Sequence, residues 1–151
     1  AFVQMARHAA RLVAQGRRGE AIEEYWNAAA LYQGEYLEDE PYSDWCLFER
    51  ERLKEVYINM MKQIGSILTE KGDLDQAIEA YHSALGVDEG REELHRELML
   101  LLWKAGRHDE ALRQHDSCRR ILREELGVEP ALETESLYKA MLAGTHPQIS
   151  S

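Results

Sequence analysis

The spacing of small residues and glycines between Ile58 and Asp88 constrains this chain more than any other feature of it. In that stretch, INMMKQIGSILTEKGDLDQAIEAYHSALGVD, Gly65, Gly72, Ala77, Tyr81 and Ala84 fall at offsets 0, 7, 12, 16 and 19. Small residues at the first and third of these positions let two antiparallel helices approach closely. Gly72 falls just past the first helix, where a left-handed C′ residue is easiest for glycine. Tyr81 lies one turn beyond Ala77 and is large enough to fill the space the small residues leave open.

The pattern recurs. Gly106 follows Gly72 by 34 residues, with Ala111, His115 and Cys118 in the places of Ala77, Tyr81 and Ala84. Gly16 precedes Gly72 by 56 residues, with Ala9 in the place of Gly65, followed by Ala21, Tyr25 and Ala28. The excess of 22 residues over one period predicts an insertion, about 33–57, between the first two units. The third copy departs from the pattern: Met99 replaces the small residue and His115 the aromatic, which predicts a looser or differently crossed helix pair. A 34-residue unit of this spacing resembles the tetratricopeptide (TPR) repeat. The resemblance implies an all-α, right-handed TPR-like solenoid of three antiparallel helix pairs.

Helices are predicted at about 2–15, 20–32, 43–71, 74–86, 90–104, 108–126 and 130–142. The third is lengthened, because the insertion extends the first helix of the central repeat backwards. Gly34 to Asp44 has five acidic residues, no basic one, and Pro41, which marks a connecting loop. Ser43 or Asp44 can cap the long helix. Pro130 suits the first turn of the last helix, and that helix would cover the open apolar face of the final repeat. The domain is expected over 1–143, with a flexible tail at 144–151.

Charge narrows the function. With 28 acidic and 18 basic residues the net charge is −10. Nucleic-acid affinity comes largely from lysine and arginine neutralising phosphates, so this chain by itself should repel DNA. No apolar run reaches membrane-span length and no secretory signal opens the sequence. The two cysteines, Cys46 and Cys118, lack metal or disulfide spacing, which suggests a reduced, cytoplasmic setting. A first residue of Ala1 suggests a fragment of a longer protein.

Two stretches outside the repeats carry a closer resemblance. In LYQGEYLEDEPYSDWCLFERERL, the residues Tyr32, Gly34, Leu37, Trp45, Glu49, Arg50, Arg52 and Leu53 match an acidic Tyr-x-Gly-x-x-Leu loop leading into a Trp-initiated helix. Leu126, Gly127, Val128, Glu129 and Pro130 match a closing Leu-Gly-Val-Glu-Pro. These motifs resemble the bacterial transcriptional activator domain of the actinobacterial antibiotic-regulatory protein family. The resemblance implies a non-enzymatic regulatory and protein-interaction domain, with a winged helix-turn-helix DNA-binding domain upstream of Ala1. Its partners would be that domain, the transcription machinery, or a second copy; DNA contact would come only through the other domain. The rival reading is a free-standing TPR adaptor that scaffolds a complex, and a third is an effector-sensing groove.

Candidate chemistry is sparse. His115 and Cys118 are spaced i, i+3 but occupy core-facing repeat positions, and no HExxH or nucleophile-elbow grouping occurs. Neither a catalytic residue, a cofactor nor a metal is expected. By repeat register the partner groove comprises Ala6, Ala10 and Val13, then Asn59, Lys62, Ser66 and Thr69, then Arg96, Leu100 and Trp103. Lys62 and Arg96 hold equivalent positions and could pair with an acidic peptide. Ala10, Ser66 and Leu100 stand where a carboxylate clamp needs asparagines. Trp103 is an aromatic anchor, either for a partner or for the last helices. Arg113, Arg119, Arg120 and Arg123 form the strongest basic patch; Glu124 and Glu125 follow at once, so internal ion pairs are the first expectation there.

Overall fold

The computed structural model describes residues 2–35 and 44–144, with the backbone alone at 33–35 and 44–47. Most of the acidic loop, the tail beyond Gly144, and the side chains of Trp45 and Cys46 therefore lie outside the described residues. The described residues form seven α-helices and no strand. They divide into two compact units, Ala1–Lys71 and Gly72–Ser151.

The first unit holds α1 (Phe2–Ala14), α2 (Arg18–Glu35) and α3 (Asp44–Glu70). Helix α1 packs on α2, and α3 packs on both. Ala9, Ala21 and Ala28 are fully buried and Tyr25 nearly so, and these are the repeat positions of the first pair. The chain leaves α1 through Gly16 at φ +76. There the Arg17 N–H donates to the Leu12 carbonyl at 2.8 Å and the Gly16 N–H to the Val13 carbonyl at 2.9 Å. Both bonds satisfy carbonyls that the helix end would leave open. An aromatic run fills the other end of the unit: Phe2 lies 5.1 Å from Tyr32, and Tyr32 stacks on Tyr57 at 4.4 Å. Burying each of these rings contributes about 2–3 kcal/mol. Arg18 reaches Glu70 at 2.5 Å, tying the start of α2 to the end of α3.

The second unit holds α4 (Leu74–Val87), α5 (Glu92–Lys104), α6 (His108–Ile121) and α7 (Leu132–Leu142). The α5–α6 turn repeats the geometry at Gly16. Gly106 has φ +79, the Arg107 N–H donates to the Leu102 carbonyl at 2.8 Å, and the Gly106 N–H donates to the Trp103 carbonyl at 3.0 Å. Ala77, Ala84, Met99, Ala111 and Cys118 are fully buried. Gly65 in the first unit is buried as well, and Gly72 has φ +83.

Two local expectations are corrected. The helix predicted to run to 126 is α-helical only to Ile121, and continues as a π-helical turn over Leu122–Leu126. Gly127 at φ +65 closes it, and Val128 N–H bonds the Leu122 carbonyl at 3.2 Å. Pro130 is not in the first turn of α7 either: the helix begins at Leu132, after an extended Ala131. The reason is a cap supplied from elsewhere in the unit. The Glu92 carboxylate accepts the Ala131 N–H at 2.6 Å and the Thr134 hydroxyl, fixing the helix start two residues beyond the proline.

His95 shows how the α5–α6 interface is satisfied. The Glu89 carbonyl can only accept, so Nε2 donates to it at 2.7 Å; the Gln114 amide nitrogen can only donate, so Nδ1 accepts at 2.8 Å. Both bonds need the neutral ring. Burial holds His95 below the ordinary imidazole range, against the pull of the Glu89 carbonyl and the Glu92 carboxylate.

Gly106→Ala forces a left-handed alanine and should lower stability by roughly 1 kcal/mol, whereas Gly86→Ala, exposed in α4 with open space around it, should raise it by about 0.5–1 kcal/mol; thermal melting reads both. For His95 the folded pKa lies below the unfolded one. Stability is therefore fully present above about pH 6.5 and is lost as pH falls toward the folded value. The urea midpoint of the native chain should thus drop more steeply between about pH 7 and pH 5 than that of His95→Gln. Equal slopes would contradict this assignment.

Candidate functional site

In the first unit a cleft of about 300 Å³ opens between α1 and α3. Val3, Ala6 and Ala10 of α1 and Val56 and Met60 of α3 supply its apolar surface, with Tyr25 of α2 at its base. Arg7, Arg52, Asn59 and Gln63 supply its polar edges. The shape follows from the sequence: Ala6 and Ala10 are one turn apart and short, so they leave a hollow between two helices that longer side chains would close. Arg52 is held by Glu49 at 2.7 and 3.2 Å. That contact lowers the Glu49 pKa from its ordinary carboxylate value.

Of the groove residues read from the sequence, Ala6, Ala10 and Asn59 line this cleft. Val13 and Lys62 are half-buried and Ser66 is exposed. Thr69 donates its hydroxyl back to the Gly65 carbonyl at 2.6 Å, a local bond that keeps it on its own helix. Arg7 was missed by the repeat register. Its signal was available, since it sits between Ala6 and Ala10, but a cation one position from a small-residue stripe reads as ordinary solvated surface. Arg52 entered only as a motif residue.

The remaining candidates fall in the second unit. Arg96 is not open to a ligand as expected. It donates to Thr134 Oγ1 at 3.1 Å and lies 3.7 Å from both Glu92 and Glu133, so it is part of the bond between α5 and α7. Leu100 is half-buried. Trp103 stacks on His108 at 3.7 Å with an interplanar angle of 10°, across the α5–α6 turn. His115 is buried and stacks on Tyr138 of α7 at 3.7 Å, while Nε2 meets Glu135 at 2.9 Å. The aromatic partner that the third repeat lacks at position 115 thus comes from α7. Cys118 beside it has a thiol that burial pushes up to about 12, which leaves it protonated and unreactive.

The basic patch on α6 and its π-helical turn is largely paired. Arg123 makes two bonds to Glu129 at 2.6 and 2.7 Å, Arg119 lies 3.9 Å from the same carboxylate, and Arg120 lies 3.7 Å from Glu124. Arg113 is exposed. Among the described residues, no group of three or more His, Cys, Asp or Glu side chains could hold a metal ion, and no helix is long and apolar enough to cross a membrane.

These helix pairs and their closing helix define a TPR-like all-α repeat domain. The C-terminal TPR-containing domain of a Plasmodium falciparum FK506-binding protein shares the fold, with a TM-score of 0.61, 16% identity, and coverage of 95% of this chain and 89% of that one. The chain belongs to the bacterial transcriptional activator domain family, whose model matches residues 1–142. It is 31% identical over 140 residues to the regulatory protein AfsR of Streptomyces griseus, covering 91% of this chain and 14% of the relative. It is 30% identical over 115 residues to AfsR of Streptomyces coelicolor, covering 76% of this chain and 12% of the relative. The chain therefore spans about a seventh or less of the length of these curated relatives.

The two arginine environments predict different mutational responses. Arg96→Ala removes a partly buried donor and leaves Glu92 and Thr134 short of a partner, so it should cost about 1–3 kcal/mol in urea unfolding. Arg120→Ala removes an exposed pair and should leave the midpoint in place.

Proposed function

We propose that this chain is the regulatory, protein-interaction module of a bacterial transcriptional regulator. It would act in the cytoplasm, positioning or controlling a winged-helix DNA-binding domain carried by the same polypeptide. The observation that carries the reading is the family match over nearly the whole chain. Net charge supports the division of labour: at −10 the module repels a phosphate backbone, leaving DNA contact to another domain. The arginines of α6 and its π-helical turn support it too, since their pairing with Glu124 and Glu129 spends charge that a DNA surface would need. The module's own contacts are then with protein: its DNA-binding domain, the transcription machinery, or a second copy of itself.

The test is a DNA-binding titration across a salt series, using the chain beside the longer polypeptide that carries it. The chain alone should show no affinity. The longer protein should bind with a steep negative dependence of log K on log salt. Absence of DNA binding by both would overturn the transcriptional reading in favour of an adaptor.

A further inference from the structure

We infer that the cleft between α1 and α3 docks an acidic amphipathic helix of a partner protein. The inference rests on the protein-interaction reading above and names the chemistry of the partner.

Three observations carry it. First, the sign of charge is inverted locally: in a chain of net charge −10, both charged residues lining the cleft are arginines. Second, Arg7 is exposed and makes no ion pair or hydrogen bond among the described residues. The other cation, Arg52, is half-exposed but already bonded to Glu49, so Arg7 carries the unpaired charge of the cleft. A guanidinium beside apolar surface favours a carboxylate that brings apolar neighbours with it. Third, the surface continues past the cleft. Phe48, 76% exposed, lies one helical turn before Arg52 and on the same face by spacing. From Phe48 through Arg52, Val56 and Asn59 to Gln63 the stripe runs about 22 Å along α3. That is the length of a four-turn helix and exceeds a small molecule. Valines, alanines and Met60 offer a floor for the apolar face of such a helix, as in other helix-in-groove complexes. Phe48 is then an end anchor, and Arg7 fixes orientation through an acidic residue on the flank of the docked helix. A polyphosphate ligand would meet the same arginines, but the apolar floor offers it nothing and the net charge repels it.

The probe is a fluorescein-labelled peptide of about 15 residues, with leucines at i, i+4, i+7 and i+11 and glutamates flanking them. The control carries lysines in place of the glutamates. Fluorescence anisotropy should show the acidic peptide binding the chain at least about tenfold more tightly than the lysine peptide. Its affinity should fall as salt rises from about 50 to about 500 mM. Arg7→Glu should weaken binding about tenfold and Phe48→Ala about fivefold, both being exposed positions whose circular dichroism melts should match the native chain. Arg113→Glu, in the other unit, should leave the affinity unchanged. Equal binding of the two peptides, absence of binding by the acidic one, or indifference to Arg7→Glu would each overturn the inference. Preferential binding of a single-stranded oligonucleotide of similar length would do so as well. The regulatory reading stands or falls separately, on the salt-dependent DNA binding of the longer protein.

Discussion

The close approach of paired helices at small-residue seams is the constraint on which the rest of this structure depends. In the first unit Ala9 meets a partner helix bearing Ala21 and Ala28, all fully buried. A larger side chain at any of them would have to displace backbone, because the interior is already close-packed. The seam works only if the chain reverses within a few residues, and a left-handed glycine achieves that at Gly16 and again at Gly106 with nearly the same pair of hydrogen bonds. Seam and turn are therefore one device: the turn brings the helices together, and the alanines let them touch. The cleft between α1 and α3 is its by-product on the other side, where Ala6 and Ala10 leave space that no neighbour fills.

In the second unit the device is modified and the end is secured by polar bonds. Met99 stands where the other copies have a small residue and is nevertheless fully buried. His115 has the place of the aromatic, and its ring is completed by Tyr138 from α7. Glu92 opens α5 and also caps α7, while Arg96 and Thr134 join the same cluster. Thr134 is fully buried yet bonded on both sides, so its hydroxyl is not left unsatisfied. A cluster of this kind is directional as well as stabilising, because its bonds form only when Glu92, Arg96 and Thr134 are brought together. The last helix is thereby fixed in register as well as held by apolar contact.

This division explains what the sequence made legible. Glycine at φ near +80 and alanine at a helix seam are demands of the backbone itself, and they leave a periodic trace that one chain can reveal. The α1–α2 and α5–α6 pairs and the lengthened α3 followed from that trace, while the closing α7 followed from Pro130 and the need to cover the last repeat. The start of α7 did not, because it depends on Glu92, whose position 39 residues earlier carries no local mark. The capture of Arg96 by Thr134 failed to show for the same reason: it is set by a residue 38 positions away. Arg96 read as a groove cation because register assigns a face but cannot say whether another helix already covers it. The cleft was half legible. Its small residues repeat, whereas Arg7, Arg52 and Phe48 are single events on an otherwise ordinary charged surface.

We propose that this chain controls transcription through protein contacts and makes no DNA contact of its own. The most direct measurement compares two properties of the longer regulator with and without residues 1–142: affinity for its DNA site, and output of a reporter gene driven from that site. Retained DNA affinity with lost activation is the result this account predicts. Unchanged activation in the deleted protein would contradict it.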